Sequence, residues 1–521
     1  MKYFHWFLKM LIGILFIAAT SNIYAGEVFY VSPAGNDSNV GSFDSPWAKM
    51  ISGINRMSPG DTLYLRGGTY QEGEIWIKRK DLGGGPGKYK TIKAYPGEIP
   101  SLGGGRRVIN FADYMRFVGL HFRLGYRFDS IGDYVEVINC TFSGSQPQFG
   151  AIEFQGNHGL MEGNIIEIID ATGNTRDHGI YLHYGTDNVI RRNVVSGTKG
   201  YGIHIYDERK SGDPAGFVRR FKNILVEGNF ITGCRERTGI VVAHGSNTVI
   251  EDVIIRKNVF TINNFHGILV RAGKGIQIYN NTLYNNGRQG INIGDGSGAG
   301  IENLTITNNI IIQSPNENCQ VHCSWYNRLH LDVAFNAQGV VVKNNLYWPS
   351  DVENRGVIDS NALIAGPLFT DAANGDFTLR PTSPAIDAGV NIGLPFVGSA
   401  PDLGAFELGD TTTDLKESGN QPEKFKLRQN YPNPFNPATK IIYEIFTPSR
   451  VMIKVYDLAG RIVRTLVNEE SFQQGTYEIV WNGKNTRGKI VASGVYLYKI
   501  EVATIDTEKL FSDTKKMILM H

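Results

Sequence analysis

The chain has 521 residues, a formal net charge of +2 and 61 glycines. This length exceeds one ordinary domain, and the glycine content is typical of a protein dense in turns. The near-neutral charge argues against bulk electrostatic binding of nucleic acid, so any attraction to an acidic polymer must come from a local patch.

The chain begins with a short apolar stretch behind two lysines. The apolar run covers 11–19, and Ile23-Tyr-Ala25 fits a cleavage site for export. The run is well short of the ~20 apolar residues that a membrane-spanning helix needs. We therefore predict an export signal over residues 1–25 and a secreted mature protein without a transmembrane segment.

The central part of the chain is a repeat marked by asparagine. An apolar residue stands three positions before each marker and another stands two positions after it. The markers are Cys140 (in the asparagine position), Asn164, Asn193, Asn229, Asn258, Asn281, Asn309 and Asn345. A period in this range with variable insertions is typical of a solenoid. We expect the asparagines to pair with backbone or with one another in an internal ladder, with Cys140 as a buried substitute.

A second marker, Gly-Ile, opens a short β-rich run in each unit. It occurs at Gly179, Gly202, Gly239, Gly267 and Gly290, with Ala151-Ile152 one unit earlier. Each unit therefore offers at least two short strands bounded by turns, and none has a helical period. Strands this short bury a core only when they stack coil on coil. The predicted fold class is all-β, with a parallel β-helix over 26–408.

Other segments flank the repeat. Residues 48–57 can form an amphipathic helix that caps the first coil, and residues 366–408 are assigned to a C-terminal cap. Residues 409–424 are polar and predict a linker. In residues 425–521, short alternating strands separated by turn residues indicate a small β-sandwich.

Two parts of the chain resemble known families. The repeat and the opening segments Phe29-Tyr-Val-Ser-Pro-Ala-Gly-Asn-Asp37 and Pro59-Gly-Asp-Thr-Leu-Tyr-Leu-Arg-Gly-Gly-Thr-Tyr70 resemble right-handed parallel β-helix proteins of the polysaccharide lyase and epimerase class. The motifs Tyr431-Pro-Asn-Pro-Phe-Asn-Pro437 and Ser493-Gly-Val-Tyr-Leu-Tyr498 resemble a type IX secretion sorting domain. This second resemblance implies the type IX machinery as a partner and a location outside the bacterial cell or at its surface. The alternative is a carbohydrate-binding or spacer sandwich.

The Gly-Ile strands also predict a candidate site. Alternation turns the residues two and four positions after each glycine outward. On successive coils these include Glu153, Tyr181, His183, His204, Tyr206, Arg271 and Asn292, with His244 beside a strand end. Because adjacent strands are ~4.8 Å apart, tyrosines and histidines of neighbouring coils can lie against each other. His178 and His266 precede glycines, where packing or turn roles are expected.

An insertion over 207–220 leaves the coil directly after Tyr206. Long inserts in solenoids usually build the binding face. Its Lys210 could meet substrate carboxylates, and the side chains that could instead hold calcium are Asp207, Glu208 and Asp213. Elsewhere, Cys319 and Cys323 flank His322 and could bridge a loop or contribute to a metal site.

A groove lined by tyrosine, histidine and arginine suits an acidic polysaccharide. β-Elimination on a uronate needs a neutralised carboxylate, a base for the C5 proton and an acid for the leaving oxygen. We therefore predict a secreted polysaccharide lyase. The acid and base come from Tyr181, His183, His204 and Tyr206, with Arg271 binding a carboxylate. Substrate contacts are expected from Glu153, Lys210, His244 and Asn292.

Two other functions stay open at this point. A glycoside hydrolase would need two carboxylates at a suitable separation, drawn from Glu153, Asp177, Asp207, Glu208 and Asp295. The third candidate is a non-catalytic glycan-binding or adhesion protein. Histidines and tyrosines on a sheet can equally serve to stabilise neighbouring strands. We expect a monomer, with calcium as the one cofactor to consider.

Overall fold

A computed structural model gives the fold of most of the chain. It describes residues 26–78, 80–104, 107–123, 126–144, 149–167, 177–207, 218–245, 248–294, 300–313, 329–334, 337–409, 425–428, 430–433, 435–445, 449–457, 461–473, 475–504 and 510–519. The predicted export signal, nearly all of the predicted linker, and Asp295, Cys319, His322 and Cys323 lie outside the described residues. Among the helices within the described ranges, none is long and apolar enough to cross a membrane.

Three long parallel sheets form the faces of a right-handed β-helix, which confirms the predicted fold class. Sheet 1 contains Val28–Val31, Thr62–Leu65, Lys90–Ala94, Met115–Val118, Glu136–Ile138, Leu160–Glu162, Gly185–Thr186, Val189–Arg191, Arg219–Glu227, Thr248–Arg256, Gly273–Lys274, Gln277–Tyr279, Ile301–Glu302, Thr305–Thr307, Ala337–Gln338 and Val341–Lys343. Sheet 2 contains Gly68–Tyr70, Pro100–Leu102, His121–Arg123, Thr141–Ser143, Ile165–Glu167, Val194–Ser196, Phe230–Thr232, Val259–Thr261, Thr282–Tyr284, Ile310–Ile312, Leu346–Trp348 and Leu363–Ile364. Sheet 3 contains Ile75–Ile77, Arg107–Asn110, Arg127–Ser130, Phe149–Phe154, Asp177–Leu182, Ile203–Ile205, Ile240–Val242, Ile268–Val270, Ile291–Ile293, Leu329–Val333 and Glu353–Arg355.

The core of the β-helix consists of stacked apolar columns. On sheet 3, the isoleucine of each Gly-Ile marker pairs in register with that of the next coil and is completely buried. This column runs through Ile152, Ile180, Ile203, Ile240, Ile268 and Ile291. Because side chains alternate along a strand, the residues beside these isoleucines face outward. The core thereby determines which side chains line the outer surface of sheet 3.

The asparagine markers form the predicted internal ladder. The side-chain oxygen of each one accepts hydrogen bonds from the backbone and side-chain amides of the marker before it, at 2.9–3.0 Å. Cys140 takes the first position, since its buried N–H donates to Asn164 at 2.9 Å. At the last coil, Asn345 donates to Asp359 at 2.7 Å. The ladder provides hydrogen-bond partners for the backbone and side-chain amides of turns that water does not reach.

The flanking segments pack on this solenoid. A short helix, Met50–Ile54, buries Met50, Gly53 and Ile54, so the predicted first helix is present but shorter. Lys80–Leu82 and Ala372–Asn374 are 3-10 turns. The antiparallel pair Phe369–Asp371 and Asp376–Leu379 packs against the outer side of sheet 2, through a cluster that includes Val259, Ile310 and Leu346. The segment predicted as a C-terminal cap thus covers a side face of the coil.

The C-terminal part is a small antiparallel sandwich, as predicted. One sheet has Phe425–Leu427, Thr439–Ile445 and Gly475–Trp481, and the other has Ile462–Phe472, Ser449–Asp457, Gly494–Thr504 and Leu510–Leu519. Its own buried core includes Ile441, Ile453, Trp481, Tyr498 and Met517. A separate core of this kind is what an independent domain requires.

Candidate functional site

One row of outward-facing residues runs along sheet 3 and is termed the central row. Strand register places it through Trp76, Ile109, Asp129, Glu153, Tyr181, His204, Val241, Leu269, Asn292 and Asp332. The row is apolar at Trp76 and Ile109, acidic at Asp129 and Glu153, aromatic at Tyr181 and His204, and then apolar and polar. The site predicted from the Gly-Ile strands lies at the middle of this row.

The structure brings four of the predicted catalytic side chains together in an aromatic cluster. The cluster consists of His178, Tyr181, His183, Tyr201, His204 and Tyr206. His204 lies at its centre, with ring-centroid distances of 4.4 Å to Tyr181 and 5.1 Å to Tyr206. Tyr181 also stacks on His183 at 3.7 Å. The rings of these two adjacent coils therefore pack directly against one another.

Two members of the aromatic cluster were missed as site residues. His178 and Tyr201 stand directly before Gly179 and Gly202, and their rings lie 4.3 Å and 4.6 Å from His204. The Nδ1 atom of His178 accepts a hydrogen bond from the backbone N–H of Tyr201 at 3.0 Å. His178 therefore carries its proton on Nε2 when neutral. The position directly before a Gly-Ile marker was a usable signal for both residues, because equivalent positions on neighbouring coils lie side by side.

The aromatic cluster is nearly closed to solvent, although its residues face outward from the sheet. Tyr181 is 1% exposed and His204 is 7% exposed. Burial, reinforced by His178, His183 and Arg237, holds the pKa of His204 well below its usual value. Its buried Nδ1 has no hydrogen-bond partner among the described residues. His204 is therefore a neutral imidazole at pH 7, in the protonation state of a general base.

A charged network adjoins the aromatic cluster on its N-terminal side. Glu153 contacts Nε2 of His183 at 3.3 Å and Nη1 of Arg127 at 3.3 Å. Asp129, one coil earlier, pairs with Arg107 at 2.9 Å and with Arg127 at 3.2 Å. Burial and the neighbouring Glu153 raise the pKa of Asp129. Glu153 thus orients the His183 ring, and the arginines compensate two carboxylates on adjacent coils.

Arginines lie beside the central row on the coils that follow His204. The guanidinium of Arg237 lies 5.8 Å from the ring centroid of Tyr201, and that of Arg288 lies 4.0 Å from the centroid of Phe265. Arg271 is exposed and follows the strand Ile268–Val270, which pairs with the strand that comes after Arg237. Burial, followed by Arg288 and Arg271, lowers the pKa of the nearby His266 to about 3. Arg237 and Arg288 were missed, although each stands two residues before a Gly-Ile glycine.

Two predicted substrate contacts lie outside the aromatic cluster. Asn292 is three strands beyond His204 in the central row, or ~14 Å at the usual strand spacing. Its amide donates to Asp332 at 3.1 Å, and Arg355 binds the same carboxylate through two nitrogens. His244 follows the strand that carries Val241, and its Nδ1 contacts the carbonyl of Gly245.

Asp207 belongs to a buried ion pair. Its carboxylate lies 3.1 Å from Nε of Arg219 and also accepts the hydroxyl of Thr248. These contacts do not suit a calcium ligand, since a guanidinium already compensates the charge. Across the described ranges no group of three or more histidine, cysteine, aspartate or glutamate residues could hold a metal ion. Glu208, Lys210 and Asp213 lie outside the described residues, so the calcium assignment stays a prediction.

Comparisons with known proteins agree with the fold. Residues 29–240 match the family described as Pel9A-like, right handed beta helix region, which includes the whole aromatic cluster. Residues 276–389 match a domain of unknown function, DUF5123, and residues 447–506 match the FlgD Ig-like domain. The first match falls on the β-helix, and the third falls on the C-terminal sandwich.

Individual relatives are distant. The uncharacterized protein YwoF of Bacillus subtilis is 24% identical over 468 residues, covering 73% of this chain and 98% of YwoF. Pectate lyase L of Paenibacillus polymyxa is 24% identical over 314 residues, covering 55% of this chain and 69% of that protein. The crystal structure of pectate lyase Pel9A aligns with a TM-score of 0.49 at 19% identity, covering 74% of this chain and 98% of Pel9A. The chain is thus similar to pectate lyase L over 55% of its length, and the family match over residues 29–240 agrees with the right-handed β-helix.

Proposed function

We propose that this chain is a secreted polysaccharide lyase that cleaves a uronic-acid-containing polymer by β-elimination. The observation that carries this proposal is the aromatic cluster, in which three imidazoles and three phenols meet on adjacent coils. The matched pectate lyase relative supports the substrate class, because pectate is itself a polymer of uronic acid.

The proton transfers are assigned to His204 and Tyr206. His204 is the base, because its lowered pKa keeps it neutral and able to accept the C5 proton. Tyr206 is half-buried, stacks on His204 with the ring planes 5° apart, and can donate a proton to the leaving oxygen. A base and an acid placed in this way each contribute roughly 10²–10⁴-fold to the rate. Glu153 positions His183 beside them.

Neutralisation of the substrate carboxylate is assigned to arginine. Arg237 is half-buried, lies over the ring of Tyr201 and acts electrostatically on His204, so its guanidinium is near the proposed base. Arg271 is exposed further along and would bind the carboxylate of another sugar, as the sequence suggests. A guanidinium in a site that excludes water stabilises the developing enolate charge more strongly than one in solvent. No step of this mechanism depends on calcium.

The proposed location is outside the cell. Export to the periplasm follows from residues 1–25, and passage across an outer membrane follows from the sandwich with its Tyr-Pro-Asn-Pro-Phe-Asn-Pro motif at 431–437. Deleting 425–521 should leave the protein inside the outer membrane, as measured by cell fractionation. Normal release of the truncated chain would contradict the sorting role.

The activity is tested with the mature chain on pectate, alginate, ulvan and glycosaminoglycans. Elimination creates an unsaturated uronate, whose ultraviolet absorbance is followed over time. His204→Ala and Tyr206→Phe should each lower kcat by roughly 100-fold or more. His158→Asn is the matched control, because His158 is exposed in the bend before the sheet 1 strand Leu160–Glu162, with a φ of 55° that asparagine also tolerates. Equal activity of His204→Ala and the wild type would refute the assignment.

A hydrolase is the second candidate, favoured by one observation. Asp129 and Glu153 stand side by side on adjacent strands, and the raised pKa of Asp129 suits a general acid beside an ionised carboxylate. We prefer the lyase, because both carboxylates are engaged by Arg107 and Arg127. New reducing ends without ultraviolet absorbance, abolished by Asp129→Asn, would establish the hydrolase. Polymer retention without either product would establish a binding protein.

A further inference from the structure

An exposed apolar patch lies at the N-terminal end of sheet 3. Trp76 is the first residue of the central row and is 37% exposed. Its ring stacks against Phe111 with centroids 6.3 Å apart and planes at 11°. Ile131, also 37% exposed, follows the strand Arg127–Ser130, which lies two strands further along sheet 3. Trp76, Phe111 and Ile131 are therefore termed the tryptophan patch.

Two cationic side chains lie beside the ring of Trp76. The Lys78 ammonium lies 5.3 Å from the ring centroid, and the Arg107 guanidinium lies 5.9 Å from it. Both distances fall within the range of a cation–π contact, which holds these flexible side chains beside the indole. Lys78 is exposed, whereas Arg107 is half-buried and pairs with Glu74 at 3.6 Å and with Asp129 at 2.9 Å. A ligand on the patch would therefore meet an aromatic side chain and the Lys78 ammonium together.

The tryptophan patch is continuous with the candidate site. Strand register leads from Trp76 through Ile109, Asp129 and Glu153 to Tyr181. These four steps correspond to ~19 Å at the usual strand spacing, which is longer than a single sugar ring. Arg107 spans the first part of this interval, since it contacts both the indole and Asp129.

We propose that Trp76 and Lys78 form a distal subsite for an acidic sugar chain that follows the central row. The apolar C–H face of a pyranose ring would lie on the indole, and its carboxylate would face Lys78. This inference rests on the proposed function for the identity of the ligand. A subsite this far from the reacting bond contributes binding equally in the ground and transition states, so it lowers KM and leaves kcat unchanged. The protein should therefore prefer long chains to short ones.

The test compares Trp76→Ala with Trp348→Ala in the full mature chain. Trp348 is 42% exposed on sheet 2, so it controls for the loss of an exposed indole. Affinity is measured by retardation in gels that contain pectate or alginate, and by titration with long and short oligouronates. Trp76→Ala should weaken binding of long chains by about tenfold, the loss expected for truncation of an aromatic anchor. Trp348→Ala, and binding of disaccharides by either variant, should be unchanged.

Lys78→Gln provides a second variant that leaves the packing of the indole intact. It should weaken long-chain binding and reduce its dependence on salt, because one cation no longer meets the polymer. Equal retardation of wild type, Trp76→Ala and Lys78→Gln would overturn the subsite. The subsite would also be overturned if no acidic polymer retarded the wild-type protein.

Retardation and product formation separate this inference from the proposed function. Retention that depends on Trp76, without unsaturated product, would support the subsite and reject the lyase. Unsaturated product with retention that is independent of Trp76 would support the lyase and reject the subsite.

Discussion

Replacement of Asn193 by alanine tests whether the internal ladder stabilises the coils that carry the site. Asn193 lies between the strand that bears Tyr181 and the strand that bears His204. Its side chain is completely buried. Its oxygen accepts two hydrogen bonds from Asn164, and its amide donates to Asn229 and to the carbonyls of Met161 and Arg191.

The expected loss follows from these contacts. Each hydrogen bond contributes about 1 kcal/mol net, and buried groups left without partners add to the cost, so Asn193→Ala should lower the free energy of unfolding by roughly 4–5 kcal/mol. Asn264→Ala is the matched control, because the Asn264 amide makes a single described bond to the carbonyl of Arg235. The control should lose about 1 kcal/mol.

The measurement is equilibrium unfolding in urea, followed by far-ultraviolet circular dichroism and extrapolated linearly to water. The asparagine effect should appear as a lower midpoint with an unchanged slope, since the same surface is exposed on unfolding. A loss for Asn193→Ala no larger than that for Asn264→Ala would refute the ladder as a source of stability.

Three further predictions concern charge. Arg219→Ala should lower the free energy of unfolding in urea by about 3 kcal/mol, because it leaves the Asp207 carboxylate buried without its cation. Arg220→Ala is the control, since Arg220 is the exposed neighbour, and equal losses for the two variants would contradict this prediction. Burial, followed by Asp402, raises the pKa of Glu407 to about 7 from the 4.5 of the unfolded chain. The stability contributed by protonated Glu407 is complete below pH 4.5 and is lost as the pH rises through 7. Glu407→Gln should therefore remove a decline in thermal midpoint between pH 5 and 8, and an unchanged decline would count against the assignment. Arg237→Ala should lower kcat/KM for an acidic polymer about tenfold, as expected for loss of one charge-assisted contact to the substrate carboxylate and the developing enolate, and an unchanged kcat/KM would reject its role.

The sequence predicted the repeat and its register because both depend on local periodicity. Asparagine at a fixed turn position and glycine-isoleucine at the start of a strand recur through the central coils, so their spacing reveals where each of these coils begins. Alternation along the strand then determines which side chains face outward. Tyr181, His183, His204 and Tyr206 could thus be placed side by side from spacing alone, and the structure puts their rings in contact.

The sequence did not reveal how far the row extends. The strand Arg127–Ser130 carries Asp129 but lacks the glycine-isoleucine marker, so no periodic signal linked Asp129 to Glu153. Trp76, further toward the N-terminus, was missed for the same reason. Their positions emerge only when parallel pairing places each strand on the next.

The amino-acid sequence by itself determined the coil, the ladder and the outward face, since each follows from a short-range period. Tertiary structure alone decided the environment of each side chain. Alternation suggests an open groove, yet Tyr181 is 1% exposed. Asp207 suits a metal by residue type, but folding pairs it with Arg219. Burial and ion pairing depend on contacts between segments far apart in the chain, and no local period encodes those contacts.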